Sequence, residues 1–219
     1  MNNLEKIRPD LKLENFFRTK GFQRKFKANE LIFMENERED CLFYIAEGLV
    51  KIFMISDEGK EKTLFILSSG QFFGEVSLFD GLGYDVNAEA LGDTVIYSMN
   101  FKDLKNALFK EPDLSFDLLK VMAEKVRTLT QQIKDMVFYD ISGRLANQIL
   151  IFSKQFGKKT ERGILIQLSL THQELANLLG ASRVTVTKTL NQFQEEGIIE
   201  IVNRRILITD LQQLMRYIG

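Results

Sequence analysis

Arg183 and Lys188 stand five positions apart in the run THQELANLLGASRVTVTKTLNQF, Thr171–Phe193, among the hydroxyls of Ser182, Thr185 and Thr187. Two cations and three hydroxyls on one short stretch suit contact with a polyanion. A guanidinium carries parallel donors that match guanine O6 and N7, while hydroxyls and amides hold phosphates. Other chemistries are poorly supplied. Cys41 is the one cysteine and His172 the one histidine. No internal disulfide, cysteine-based metal cluster or His-rich haem site is therefore expected, and Cys41 reads as a buried strand residue. The chain has no GKS or GKT phosphate loop, so an enzyme is not expected.

Those residues need a rigid support, and the spacing predicts one. Leu175, Leu178 and Leu179 fall at i, i+3 and i+4, and Val184, Val186, Leu190 and Phe193 are read as a continuing inward face. Thr171 with Glu174 makes a capping box that opens the first helix. Gly180 supplies the positive φ of a tight turn, and Ser182 caps the second helix. Two short helices joined this way make a helix-turn-helix, whose second helix enters a DNA major groove. A plain αα-hairpin is the alternative at this point. Beyond Gly197, IIEIVNRRILIT (Ile198–Thr209) alternates about Asn203-Arg204 and predicts a β-hairpin, or wing. Winged helix-turn-helix is the more specific pattern.

The 219 residues suit one large or two small domains, with 45% hydrophobic and 27% charged residues, ordinary for a globular chain. No apolar run is long enough for a membrane span and no secretory leader is apparent, so a cytoplasmic protein is expected. The net charge of −1 hides an asymmetry. Residues 141–219 hold ten Lys and Arg against six Asp and Glu, and residues 1–140 hold nineteen against twenty-four. A positive C-terminal part suits a phosphate-facing surface, although a solvated surface has the same composition.

Three regions separate by pattern. From about Phe22 to Tyr97 the chain reads as short strands, at Leu31–Met34, Cys41–Gly48, Leu49–Ile55, Lys62–Leu67 and Asp93–Met99, divided by Gly turns. That spacing predicts an antiparallel roll or barrel, with a helix about Phe16 and Phe17 on its outside. A long helix starts near Pro112. Leu119, Met122, Val126, Leu129, Ile133 and Met136 recur at alternating three and four residues, a heptad seam. Such a helix can pack on its own roll, pair with a second copy, or do both; the last is expected. The third region holds a helix over Ser142–Gln155 with Leu145, Ile149, Leu150 and Phe152 inward, a charged loop Gly157–Gly163, a strand Leu165–Leu170, and the winged helix-turn-helix. The expected class is α+β: an N-terminal antiparallel, jelly-roll-like β-roll (residues 1–111), a long dimerisation helix (112–140) and a C-terminal winged helix-turn-helix (141–219).

The order of these parts resembles the bacterial transcription regulators typified by the catabolite activator, or cyclic-AMP receptor, and by the fumarate–nitrate reduction regulator, the Crp/Fnr family. The resemblance covers nearly the whole chain. It rests on the Glu47-Gly48 and Asp57-Glu58-Gly59-Lys60 turns, on Phe73-Gly74-Glu75-Val76-Ser77-Leu78, on the long helix, on Asp140-Ile141-Ser142-Gly143-Arg144, and on the winged motif. It implies a homodimer that binds double-stranded DNA as an inverted repeat, contacts RNA polymerase if it activates, and answers to a small-molecule effector.

In that family the FGE segment is a phosphate-binding cassette, in which a Gly-rich turn, an arginine and a glutamate hold a cyclic nucleotide. Gly74 and Glu75 remain here, with Ser77. By register the family's arginine falls on Asp85 and its serine on Val86, and no Arg or Lys occurs between Lys62 and Lys102. Loss of a close charge-assisted pair costs on the order of several kcal/mol, so neither cyclic AMP nor cyclic GMP is expected to bind. The two hydroxyl residues that touch the base in the cyclic-AMP branch fall on Leu129 and Thr130. The pocket either takes another molecule or keeps its turn because the roll needs it.

On the reading side, the resemblance places Arg183, Val184 and Lys188 at base-reading positions and makes Thr171, Gln173, Ser182 and Thr187 candidates for phosphate contacts. Val184 stands where the cyclic-AMP and fumarate–nitrate branches place a glutamate. RVTVTK looks more like the nitrogen-control branch, which implies G and T near the outer end of each half-site. Asp140, Ser142 and Gly143 are expected as a hinge, with a tight helix junction as the other reading of the same residues. A sensory module that has lost DNA binding is the rival function, and Arg183, Lys188 and the wing argue against it.

Overall fold

The computed structural model describes residues 11–38 and 41–218. By backbone contacts the chain divides into two compact units, one ending at Arg127 and the other beginning at Thr128.

In the first unit, α1 (Leu11–Lys20) leads into eight strands: β1 (Phe22–Phe26), β2 (Leu31–Phe33), β3 (Cys41–Glu47), β4 (Leu49–Ile55), β5 (Glu61–Ser68), β6 (Phe72–Phe73), β7 (Asn87–Ala90) and β8 (Thr94–Asn100). They form two antiparallel sheets, in the orders β1-β8-β3-β6 and β2-β7-β4-β5. One core lies between the sheets. Phe33, Phe43, Phe73 and Tyr84 are buried in it with Ile45, Val50, Ile52 and Ile96. The Tyr84 ring stacks on Phe33 with centroids 3.7 Å apart. A second core gathers Leu42, Tyr44 and Phe72 against Phe17 of α1, Leu78 of α2 (Glu75–Asp80), Leu104 and Ala107 of α3 (Phe101–Lys110), and Leu114 and Leu118 of α4 (Pro112–Phe138). β3 is therefore covered on both faces, which is why its sequence is a continuous apolar run and not an alternation. Each such side chain contributes about 1.5–3 kcal/mol by leaving water.

α4 runs for 27 residues from Pro112, a residue preorganised for the first turn of a helix. Its buried residues are Leu114 and Leu118, near its start.

The second unit packs α5 (Ile141–Phe156), α6 (His172–Leu179), α7 (Arg183–Glu195) and α8 (Leu211–Met215) with a sheet of order β11-β12-β10-β9. Its core includes Leu145, Ile149, Phe152, Leu175, Leu179, Val186, Leu190, Phe193 and Ile208. The wing is β11 (Ile199–Val202) and β12 (Arg205–Ile208), joined by Asn203 and Arg204 at φ 50° and 62°. Two successive left-handed residues give the hairpin turn whose twist matches the strands.

The structure departs from the expected elements in four places. The charged segment after α5 is not a loop: β9 (Gly157–Thr160) pairs with β10 (Gly163–Ile166). Every residue of β9 is exposed, so an edge strand rich in Lys carries no apolar alternation to read. The strand expected over Leu165–Leu170 is accordingly shifted to β10. Val184 does not face inward; it is 63% exposed. Leu150 is half-buried instead of sharing the core with Ile149.

Candidate nucleic-acid interface and effector site

The helix-turn-helix is built from its caps inward. Thr171 accepts from the Glu174 backbone N–H at 3.2 Å, and Glu174 Oε2 accepts from the Thr171 N–H at 2.6 Å, closing the capping box. α6 ends at Gly180 in the left-handed region (φ 63°), and Ser182 caps α7 by accepting from the Thr185 N–H. Arg144 of α5 donates from Nη1 to the Leu179 carbonyl at 3.0 Å, satisfying an end group of α6. α7 then divides cleanly. Val186, Thr189, Leu190 and Phe193 are buried, while Val184 and Lys188 are exposed along the opposite face and Arg183 is exposed at the first position of the helix. Neither Arg183 nor Lys188 forms an ion pair among the described residues. Their charge is available to a ligand.

The expected phosphate contacts stand in different situations. Thr171 and Gln173 are exposed at the start of α6, with Gln173 Nε2 donating to Asn177 Oδ1 at 2.7 Å. Ser182 is exposed but shares its hydroxyl with Thr185 at 2.8 Å. Thr187 is half-buried and fully engaged, donating to the Arg183 carbonyl and bonded to His172.

In the roll, Gly74 precedes α2 with φ 87°, and a Cβ there would lie 2.6 Å from the Cys41 carbonyl. The turn thus requires glycine whatever it binds. Glu75 is different, because no turn needs its carboxylate. It is buried, and Lys125 of α4 reaches it with Nζ 2.8 Å from each oxygen. The Phe65 and Phe72 rings flank that ammonium at 5.8 Å. Burial pulls the Lys125 pKa below its ordinary value, and Glu75 pushes it back up. Ser77 Oγ is buried without a hydrogen-bond partner among the described residues. Val86 packs half-buried against the roll core. Asp85, expected at the arginine position, is exposed; its neighbour Tyr84 is the buried side chain. Leu129 (half-buried) and Thr130 (exposed) fall beyond the division of the chain at Thr128.

Sequence reasoning missed Lys125, which lies fifty residues from its partner on a helix face rich in charges. The exposed apolar row of α4 also differs in phase from the expected seam. Phe116, Leu119, Val126, Ile133 and Val137 are 59–66% exposed, and Ala123 and Thr130 are exposed between them. They recur at 3, 4, 3, 4, 3 and 4 residues. Of the expected seam, Leu119, Val126 and Ile133 belong to this stripe. Met122 and Leu129 are half-buried, and Met136, although 42% exposed, packs its Cε 3.5 Å from where a Gly180 Cβ would stand.

The expected hinge is a packed helix start. Asp140 caps α5 by accepting from the Gly143 N–H at 2.9 Å. A Cβ on Gly143 would meet the Tyr217 carbonyl at 2.9 Å and Tyr139 at 3.1 Å. Ser142 is half-buried beside it. Nearby, Tyr139 Oη donates to the Ile218 carbonyl and Asn147 to Asp135.

A two-sheet roll with a turn of the cyclic-nucleotide type, followed by a winged helix-turn-helix with a free cationic face, defines a DNA-binding regulator with a sensory-type domain. Comparison with known proteins agrees part by part. The cyclic nucleotide-binding domain family matches residues 23–111, and the Crp-like helix-turn-helix domain matches residues 143–217. The CRP-like cAMP-activated global transcriptional regulator of Mycobacterium tuberculosis is 33% identical over 87% of this chain and 85% of its own length. The global nitrogen regulator of a Nostoc species is 29% identical over 84% and 83%. A solved structure of a CooA variant from Carboxydothermus hydrogenoformans superposes with a TM-score of 0.81 at 27% identity, covering 94% of this chain and 90% of that one. The chain belongs to the Crp/Fnr family of DNA-binding transcription regulators. It is not an enzyme, and no helix among the described residues is long and apolar enough to cross a membrane.

Proposed function

We propose that the protein acts as a homodimer that reads an inverted-repeat operator through α7, under the control of an effector other than cyclic AMP. The observation that carries the reading part is the division of α7, with Arg183, Val184 and Lys188 exposed while Val186, Thr189, Leu190 and Phe193 are buried. Val184 offers apolar contact, suited to a thymine methyl, beside a guanine gripped by Arg183. The likeness to a nitrogen regulator supports half-sites with G and T at their outer ends. Thr171, Gln173 and Ser182 hold phosphates and fix register.

Dimerisation is supported by the exposed stripe Phe116–Leu119–Ala123–Val126–Thr130–Ile133–Val137, an a/d heptad pattern that a second α4 would bury. Two reading helices then sit about 34 Å apart, one turn of DNA.

Three observations support an effector other than cyclic AMP, although several relatives are cAMP-activated. No cation lies between Lys62 and Lys102 to face a phosphate. Tyr84 fills the interior beside Phe33. Lys125 already takes both oxygens of Glu75. RNA polymerase is the further partner if the bound dimer activates.

Selection of bound duplexes from random-sequence DNA, with and without cyclic AMP, tests the proposal. The expected product is two half-sites one helical turn apart, enriched equally in both arms. Single half-sites, or enrichment that requires cyclic AMP, would contradict it.

A further inference from the structure

The end of α4 and the residue after it present two faces. Ile133 and Val137, one turn apart, are 64% and 66% exposed and belong to the stripe that a second α4 would cover. Asp135, Met136 and Tyr139 turn away from that stripe, within the unit that begins at Thr128. Each meets a different element. Asp135 accepts from Asn147 Nδ2 of α5 at 2.5 Å, and Gln131 Nε2 holds its other oxygen at 2.7 Å. Met136 Cε stands 3.5 Å from where a Gly180 Cβ would be, at the turn between α6 and α7. Arg144 ties the same turn to α5 through the Leu179 carbonyl. Tyr139 Oη donates to the Ile218 carbonyl at 2.9 Å. The preceding residue, Tyr217, packs its ring on Phe193 of α7 with centroids 4.8 Å apart. Its hydroxyl donates to Glu196 at 2.7 Å and accepts from Gln192 at 3.2 Å. The contacts of these three residues thus lead to α5, to the start of the reading helix and to its far end.

We propose that Asp135, Met136 and Tyr139 are positioning residues that fix the angle between the dimer helix and the reading head, and so select the half-site spacing that the dimer accepts. This rests on the dimeric, operator-reading function proposed above. The head itself is rigid, because Leu145, Ile149, Val186, Leu190 and Phe193 are packed in one buried core. A rigid body on a single covalent link can swing about it. Attachment to three separate elements removes that freedom. α7 has 13 residues and is therefore about 20 Å long, and it is held near both ends. One base pair more or less between half-sites moves the second site by about 3.4 Å and turns it by about 34–36°. A head at a fixed angle cannot follow that displacement, whereas a head on a loose joint can. The attachments reach the turn and the far end of α7, not the exposed side chains that read bases. Spacing and half-site sequence are therefore separable properties of this protein.

The test uses the full chain and labelled duplexes that carry the two selected half-sites at the recovered spacing, or with one base pair inserted or removed between them. A duplex with scrambled half-sites runs alongside. Anisotropy reads affinity, and sedimentation reads assembly. The wild type should lose about tenfold on either altered spacing, because the DNA must twist or one half-site must be released. Asp135→Ala combined with Tyr139→Phe leaves Met136 alone at the joint. That double variant should stay dimeric and keep the wild-type preference for selected over scrambled half-sites, yet bind the altered spacings within about threefold of the recovered one. Asp135→Asn in place of Ala returns an acceptor to Asn147 and should restore part of the discrimination. Wild-type spacing discrimination in the double variant overturns the proposal. So does an equal fall in half-site preference, which would mark a loosened head and not a loosened joint. If the double variant fails to fold, Tyr139→Phe alone decides, since it removes a single oxygen: unchanged discrimination there overturns the proposal. A wild type that binds single half-sites as tightly as pairs contradicts the dimeric reading itself, and this proposal with it.

Discussion

Glu75 and Lys125 carry the most information at the scale of single residues. The carboxylate is 6% exposed and the ammonium side chain 15%. An ion removed from water at such a site is tolerated because its partner is in place. The two halves of the pair are not equivalent. Burial already pulls Lys125 toward its neutral form, so Glu75→Gln leaves an amine that can shed its proton. Lys125→Met leaves a carboxylate that must either stay charged or take up a proton. We expect Lys125→Met to lower unfolding free energy by about 3–5 kcal/mol, Glu75→Gln by less, and the double variant to recover most of the loss. Urea unfolding of all three measures it, and two harmless single variants would contradict the account. Residue types told part of this story in advance. The exposure of Arg183 and Lys188 was legible, because polar residues there fall between the apolar positions that make the inward row. Lys125 was not, because its partner is far away in the chain, and nothing local distinguishes a charge that turns inward.

Among the elements, the caps and turns were the most legible. The Thr171–Glu174 box, Gly180, Ser182 and the Asn203-Arg204 turn occur as the residue types imply, since each satisfies backbone groups that have few other solutions. The long helix was legible in extent, and its exposed row differs in phase from the expected seam. Both phases share Leu119, Val126 and Ile133 and differ in whether the other row is Met122, Leu129 and Met136 or Phe116, Ala123, Thr130 and Val137. Hydrophobicity prefers the first row, in which Met122 and Leu129 are half-buried and Met136 is exposed. The small and polar members of the second row, Ala123 and Thr130, conceal a surface suited to close approach by another helix. Ala123→Glu and Val137→Glu should therefore yield folded monomers by sedimentation. A dimer that survives both, yet is lost in a folded Met122→Glu variant, would restore the other phase. The β9–β10 hairpin was illegible for the opposite reason: a fully exposed edge strand has no apolar pattern at all.

For the whole molecule, the sequence read as three parts, residues 1–111, 112–140 and 141–219, while backbone contacts divide it once, at Thr128. The last turns of α4 belong with the reading unit: Asp135 accepts from Gln131 and from Asn147, and Tyr139 donates to Ile218. A heptad pattern runs through such a boundary without a mark, because the helix is continuous while its packing partners change. The roll, the long helix and the winged motif together identify the family. What α7 does is the point on which the functional account turns, and one measurement reaches it. Binding of the wild type and Arg183→Ala to the selected and scrambled duplexes, with sedimentation on the same samples, compares sequence preference with assembly. The account predicts that preference falls by about 1–3 kcal/mol per half-site while the dimer stays intact. Unchanged preference in a folded, dimeric Arg183→Ala protein would contradict it.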